Sequence, residues 1–213
     1  MGCIATTPSP RSRSVDWMPL EDWQRRHTRN VAWAETVNAD VVVYGASVVE
    51  GWGEDPSFAR LGRRPLALGI GGDRTQHLLW RLEHGELGSL GPQCVVTVIG
   101  NNNLAEPAEP PDDIAQGVLA VHAALGAHWP TARRVSVAIP PNRERPDDPV
   151  RLAAERVNAR VRDAERDFEI VDVSRSLTDE RGWVQAQYAA DFIHPTPAGY
   201  DRFTDALLAA LGR

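Results

Sequence analysis

The chain contains no lysine: all 23 of its basic side chains are arginine. That bias is the mark of a GC-rich genome rather than of phosphate recognition, and 29 carboxylates outweigh it to leave a formal net charge of −6. No basic stripe is present, which excludes a nucleic-acid partner of the usual electrostatic kind. Cysteine is scarce as well. Cys3 lies in a polar start and Cys94 opens an apolar strand, so no structural disulfide is expected and a reducing, cytoplasmic compartment is. Every apolar run stops short of membrane-spanning length, which excludes stable insertion by a helix. A charged stretch followed by an apolar one is missing from the N-terminus, so no secretory signal is expected.

What is present is enough chain for one core. At 213 residues the sequence predicts a disordered tail over 1–15, rich in Ser, Pro and Arg, and a single domain over 16–213. Met1-Gly2-Cys3-Ile4-Ala5-Thr6 matches an N-myristoylation pattern, with Cys3 open to a second acyl chain; a chance match in a disordered start is the reading taken here.

Five short apolar runs alternate with helical periodicity. A helix over Trp17 to Val37 leads into Asp40-Val41-Val42-Val43-Tyr44-Gly45, a β-branched strand buried on both faces. Ser47 follows, and then a loop containing Gly51-Trp52-Gly53. Further strands are expected at Pro65–Ile70, Cys94–Ile99, Val135–Ile139 and Phe168–Val173. Helices are expected at Arg74–Glu86, Ile114–His128, Val150–Asp167 (Leu152, Val157 and Val161 inward) and Pro197–Leu211. The alternation predicts a three-layer α/β/α, flavodoxin-like domain with a five-stranded parallel sheet.

The chemistry-bearing residues follow the strands. Ser47 comes after the first, Gly69-Ile70-Gly71-Gly72-Asp73 after the second, Gly100-Asn101-Asn102-Asn103 after the third, and Asp191-Phe192-Ile193-His194-Pro195 before the last helix. A parallel sheet delivers such segments to one edge. Each has a plainer explanation: a helix N-cap for Ser47, turns for the glycines and asparagines, a loop residue in Asp191, a ring packed on Pro195 in His194. Together they supply a nucleophile, a base, an acid to orient the base and donors for an oxyanion, which are the parts acyl transfer needs. The other histidines (His27, His77, His84, His122, His128) show no spacing that predicts a metal site. The second Gly of a Gly-x-Ser-x-Gly elbow is missing, which disfavours an α/β-hydrolase, and Gly69–Gly72 is neither a dinucleotide fingerprint nor a P-loop.

The blocks Gly69–Thr75, Leu79–Leu87 and Gly100–Asn103, the Pro-rich loop Pro140–Pro149 and the closing Asp191-x-x-His194 with Gly199-Tyr200 resemble the SGNH, or GDSL-type, esterases and lipases. Within that family they resemble the catalytic subunits of intracellular platelet-activating-factor acetylhydrolase. The resemblance implies Ser47 as nucleophile, His194 as general base and later acid, and Asp191 as its orienter. It also implies an oxyanion hole from the backbone N–H groups of Ser47 and Gly72 and the side-chain amide of Asn102. Two positions depart from it: Ala46 stands where the family has Asp, and Ala67 where Asn is common. Neither is a triad member.

The expected activity is that of a serine esterase, with Val48, Asn101 and Ile193 lining a pocket for a short, acetyl-like acyl group. No cofactor or metal is expected. The partner expected is a small acyl ester, and the assembly considered is a homodimer. An acyltransferase on the same machinery and a catalytically silent subunit of the same fold are the alternatives.

Overall fold

The five apolar runs become strands: β1 (Val41–Gly45), β2 (Pro65–Gly69), β3 (Cys94–Val98), β4 (Arg133–Val137) and β5 (Glu169–Val171). In the computed structural model, which describes residues 3–212, they form one parallel sheet in the order β2-β1-β3-β4-β5. Every position of β1 and β3 is buried, which is why their sequences read as unbroken apolar runs rather than alternating ones.

Successive side chains of β1 serve opposite faces. Val42 and Tyr44 join a core beneath α1 (Leu20–Thr36), α3 (Thr75–Arg81), α4 (Pro111–His128) and α5 (Pro149–Asp163). Val41 and Val43 join a second core beneath α2 (Ser47–Glu54), the short α6 (Ser174–Leu177) and α7 (Pro197–Ala210), where Trp52 meets Phe203 edge to face. From β1 the chain steps one way to β2 and then returns past β1 to β3. The direction of winding therefore reverses between β1 and β3, and a crevice opens beyond their carboxyl ends.

Four expectations are corrected. The stretch after Ser47 is the helix α2, not a loop. Its glycines are explained by close packing: a Cβ on Gly51 would stand 2.6 Å from the Tyr200 hydroxyl, and one on Gly53 would stand 2.5 Å from Cβ of Ala67. The helix expected to run to Glu86 ends as α3 at Arg81 and continues as a wider turn over Leu82–Glu86, where Gly85 takes φ +104. On α5 the inward apolar residues are Ala154, Val157 and Val161, and Leu152 is 41% exposed, because the buried stripe is set by the packing of α5 on α4 rather than by the first apolar residue.

The fourth concerns the N-terminus. From Cys3 onward the predicted tail is a strap laid on the body. Ala5 is fully buried and its carbonyl accepts from the Thr75 hydroxyl at 2.9 Å. The Ser9 N–H donates to the Gln76 carbonyl at 3.1 Å, and Met18 packs with Trp23 and Ile70. Polar composition did not reveal this, because two small apolar anchors and backbone bonds hold the segment. Gly2, the residue a myristoyl group would take, lies outside the described residues. Among the described residues no helix is long and apolar enough to cross a membrane.

Candidate active site

Ser47 opens α2 directly beyond β1, and its Oγ lies 2.8 Å from Nε2 of His194. Nδ1 of His194 lies 2.6 Å from Oδ2 of Asp191. A carboxylate only accepts, so the imidazole proton sits on Nδ1 and Nε2 turns its lone pair to the Ser47 hydroxyl. Three side chains from two distant segments thus form one hydrogen-bonded chain.

The loop that carries the acid and the base is braced by its own backbone. Oδ1 of Asp191 accepts the N–H of Ile193 at 3.0 Å and that of His194 at 2.7 Å. Burial pushes the Asp191 carboxyl up, but the bonds from the His194 ring and from the two backbone groups outweigh it and hold the carboxyl below the usual carboxylate range. Between them Phe192 takes φ +61, a left-handed conformation costing a non-glycine residue roughly 1–2 kcal/mol. Backbone bonds from Phe192 to the Ala189 carbonyl, and from Arg143 to the Phe192 carbonyl, pin it there.

Three segments beyond the strands carry candidate donors. The Ser47 N–H belongs to the first turn of α2, where a helix leaves its amides without intrahelical acceptors and at the positive end of its dipole. Beyond β2, the Gly71 N–H donates to Oε2 of Glu50 at 3.0 Å and the Asp73 N–H to the Ile70 carbonyl at 3.2 Å. The Gly72 N–H between them has no acceptor among the described residues, and Gly72 itself takes φ +76. Beyond β3, Gly100 turns the chain at φ +109 into a 3₁₀ turn over Asn101–Leu104. Asn102 spends one amide hydrogen on the Asp73 carbonyl at 2.9 Å, which ties it to the Gly72 loop and leaves its second hydrogen unspent. Asn103 is fully buried and accepts the Thr75 N–H at 3.1 Å, so it serves the framework.

Val48, Asn101 and Ile193 line one cleft beside Ser47, together with Val98, Pro140 and Asn142. Its free space is about 20 Å³, enough for a single water-sized group. Gly72 lies outside this cleft, under Arg11 and Trp17 of the strap. Sequence reasoning missed Asn142, whose amide donates to Oδ1 of Asn101 and fixes its orientation in the cleft. It named Tyr200 only as part of the closing block; the Tyr200 hydroxyl donates to the Val48 carbonyl at 3.0 Å and steadies the first turn of α2.

A buried ionic cluster lies behind the site. Arg81 is fully buried; its guanidinium donates to the Gly45 carbonyl at 3.1 Å, to the Leu68 carbonyl at 3.2 Å and to Glu86 at 3.0 Å. Its Nε stands 2.8 Å from Oδ2 of Asp73, whose Oδ1 accepts the Trp23 indole N–H at 2.7 Å. One cation therefore joins the ends of β1 and β2 to the loop that holds Gly72. Burial drives the Asp73 carboxyl up to about 6 although Arg81 and Trp23 pull it down. Removing one partner from such a buried set costs about 3–5 kcal/mol, because the others are left unpaired away from water. The signal in the sequence was a pair of charges, Arg81 and Glu86, inside the apolar block Leu78–Leu87. Among the described residues no group of three or more His, Cys, Asp or Glu side chains is placed to hold a metal ion.

Comparison with known proteins identifies a family. Residues 43–202 match the model of the GDSL-like Lipase/Acylhydrolase family. Platelet-activating factor acetylhydrolase IB subunit alpha1 of Bos taurus is 33% identical over 200 residues, covering 90% of this chain and 83% of the relative. The alpha2 subunit of Rattus norvegicus is 29% identical over 194 residues, 87% of this chain and 81% of the relative. A GDSL-like lipase from Bacteroides thetaiotaomicron VPI-5482 superposes with a TM-score of 0.71 at 24% identity, over 89% of this chain and 96% of that one, and so shares the fold. With three quarters of its length inside the family pattern, the chain belongs to the GDSL-like lipase/acylhydrolase family and is a carboxylic ester hydrolase.

Proposed function

We propose that the chain hydrolyses short-chain, acetyl-like O-acyl esters through an acyl-enzyme, with Ser47 as nucleophile, His194 as general base and then acid, and Asp191 as the orienter of His194. The observation that carries this reading is the hydrogen-bonded chain of 2.8 and 2.6 Å from Ser47 through His194 to Asp191. Ser47 Oγ attacks the ester carbonyl as its proton passes to Nε2 of His194. The charge that gathers on the carbonyl oxygen is met by the N–H groups of Ser47 and Gly72 and by the second amide hydrogen of Asn102. His194 returns the proton to the departing alkoxide. Water then repeats the sequence on the acyl-enzyme, releasing the acid and restoring Ser47.

The small cleft of Val48, Asn101 and Ile193 supports an acetyl-sized acyl group, as do relatives named as acetylhydrolases. A series of p-nitrophenyl esters of increasing acyl length tests this: acetate is expected to be turned over fastest, with kcat/KM falling steeply once the chain outgrows the cleft. A flat profile overturns the short-acyl assignment, and transfer to an added alcohol in excess of hydrolysis overturns the hydrolase reading. Relatives named as subunits support assembly with another chain, and the homodimer is the form light scattering would detect.

Asn102→Ala removes a donor aimed at charge that develops only in the transition state. Its expected effect is a fall in kcat on the order of 10²–10³ with little change in KM. A change confined to KM would make Asn102 a ground-state contact instead.

A further inference from the structure

Ala46 gives the nucleophile turn no polar side chain, and α2 has no side-chain cap. One helical turn on, Glu50 reaches out of α2. Its Oε2 accepts the Gly71 N–H at 3.0 Å, while its Oε1 pairs with Arg26 and lies 3.9 Å from Arg29, both on α1. The carboxylate is 17% exposed, so these contacts are only partly screened by water. A single side chain thereby links the helix that begins at Ser47, the loop that presents the Gly72 N–H, and the helix α1.

We propose that Glu50 is the positioning residue of the oxyanion loop, and that Arg26 and Arg29 make a carboxylate tolerable there. Two physical demands meet at this point. The peptide between Gly71 and Gly72 must be held in one orientation for the Gly72 N–H to aim at a developing oxyanion. Glu50 fixes the preceding Ile70–Gly71 peptide through the Gly71 N–H, and the Asp73 N–H closes the turn on the Ile70 carbonyl at 3.2 Å, so the peptide between Gly71 and Gly72 is held from both sides, with Glu50 acting from the same helix as the nucleophile. A bare carboxylate close to a developing negative charge opposes the reaction, since like charges repel strongly where water is sparse. Two guanidiniums on the far side of Glu50 offset this charge. The cluster accordingly fixes the geometry of the loop without an adverse field. This inference rests on the assignment of the Gly72 N–H to the oxyanion hole.

The test uses the full chain and four variants: E50A, E50Q, R26A/R29A and R26A/R29A/E50Q. Kinetics are read with p-nitrophenyl acetate, and folding by thermal melting. E50A is expected to lower kcat about tenfold or more with KM unchanged, since it misaims one donor rather than deleting it. E50Q keeps an acceptor oxygen for Gly71 and is expected to restore kcat to within about threefold of the parent. R26A/R29A is expected to lower kcat about threefold or more while Glu50 is charged, and to do so no longer in the E50Q background. An undiminished kcat in E50A, a loss seen only in KM, or an E50Q as poor as E50A overturns the proposal. Ser47→Ala assayed in parallel separates the two levels. Activity surviving in that variant defeats the serine mechanism itself, whereas its loss beside an unaffected E50A defeats only the role of Glu50.

Discussion

Replacing Ser47 with alanine is expected to abolish ester turnover and labelling by a fluorophosphonate probe, and to leave the fold unchanged. The hydroxyl makes one side-chain hydrogen bond, to Nε2 of His194, and it caps no helix, because the N-cap position of α2 is Ala46. Alanine suits the start of a helix at least as well as serine. The loss of that one partly exposed hydrogen bond should change stability by only about 1 kcal/mol. Chemistry is affected quite differently. Without Oγ there is no atom to accept the acyl group, and what remains is the modest rate enhancement that oxyanion donors and binding give to direct attack by water. A melting curve like that of the parent, beside vanished turnover and vanished labelling, is the expected pair of results. A well-folded variant with full activity would show that Ser47 is only the first residue of a helix.

Asp191→Asn is expected to cut the plateau of kcat by about 10⁴ and to move the acid limb of kcat/KM to lower pH. The geometry explains why so small a change is so costly. The asparagine oxygen can still accept the backbone N–H groups of Ile193 and His194, so the loop keeps its shape. Its amide nitrogen then faces Nδ1 of His194, 2.6 Å from the former carboxylate oxygen, and donates where the carboxylate accepted. The imidazole must take its proton on Nε2, and the lone pair that should receive the Ser47 proton is lost. The imidazolium formed during attack also loses its counter-charge, so it releases its proton more readily and the acid limb moves down in pH. In the parent, the hydrogen bonds to Asp191 hold its carboxyl below the usual carboxylate range, so it stays ionised. Asp172→Asn is the control. Asp172 pairs with Arg162 at 2.9 Å and with Ser174, outside the cleft beside Ser47, and its loss should change neither plateau nor limb. Wild-type activity and an unmoved limb in Asp191→Asn would reduce Asp191 to a turn residue.

Ser47, Gly72, Asn102, Asp191 and His194 were legible as candidates for a particular reason. A strand buried on both faces must be apolar along its whole length, so its end is marked by an abrupt change to glycine and polar residues. In a parallel sheet those ends share an edge. Val41–Gly45 and Cys94–Val98 carry that mark clearly. β5 is shorter than expected, three residues in place of six, because it is an edge strand whose only ladder, to β4, spans Glu169 to Val171 and leaves the apolar Phe168 and Val173 outside it.

Local sequence failed where a residue's meaning depends on what lies across from it. Gly51 and Gly53 read as a loop because glycine disfavours helices; they are glycines inside a helix because Tyr200 and Ala67 leave no room for a Cβ. Arg81, a charge inside the predicted helix Arg74–Glu86, is fully buried because the carbonyls of Gly45 and Leu68 and the carboxylates of Asp73 and Glu86 surround it. Glu50 carries no sign in the sequence that its acceptor bond will close on the Gly71 N–H.

By itself, then, the sequence determined the α/β class, the places where strands stop and the residue types offered at those places, because these follow from burial and backbone preference along a single segment. The tertiary structure alone decided which offers meet: the 2.8 and 2.6 Å contacts of His194, the cleft of about 20 Å³, and the ionic ties of Arg81 and Glu50 behind it. Such contacts join segments up to 147 residues apart. Their geometry is set by the packing of helices on the sheet, which no single segment contains.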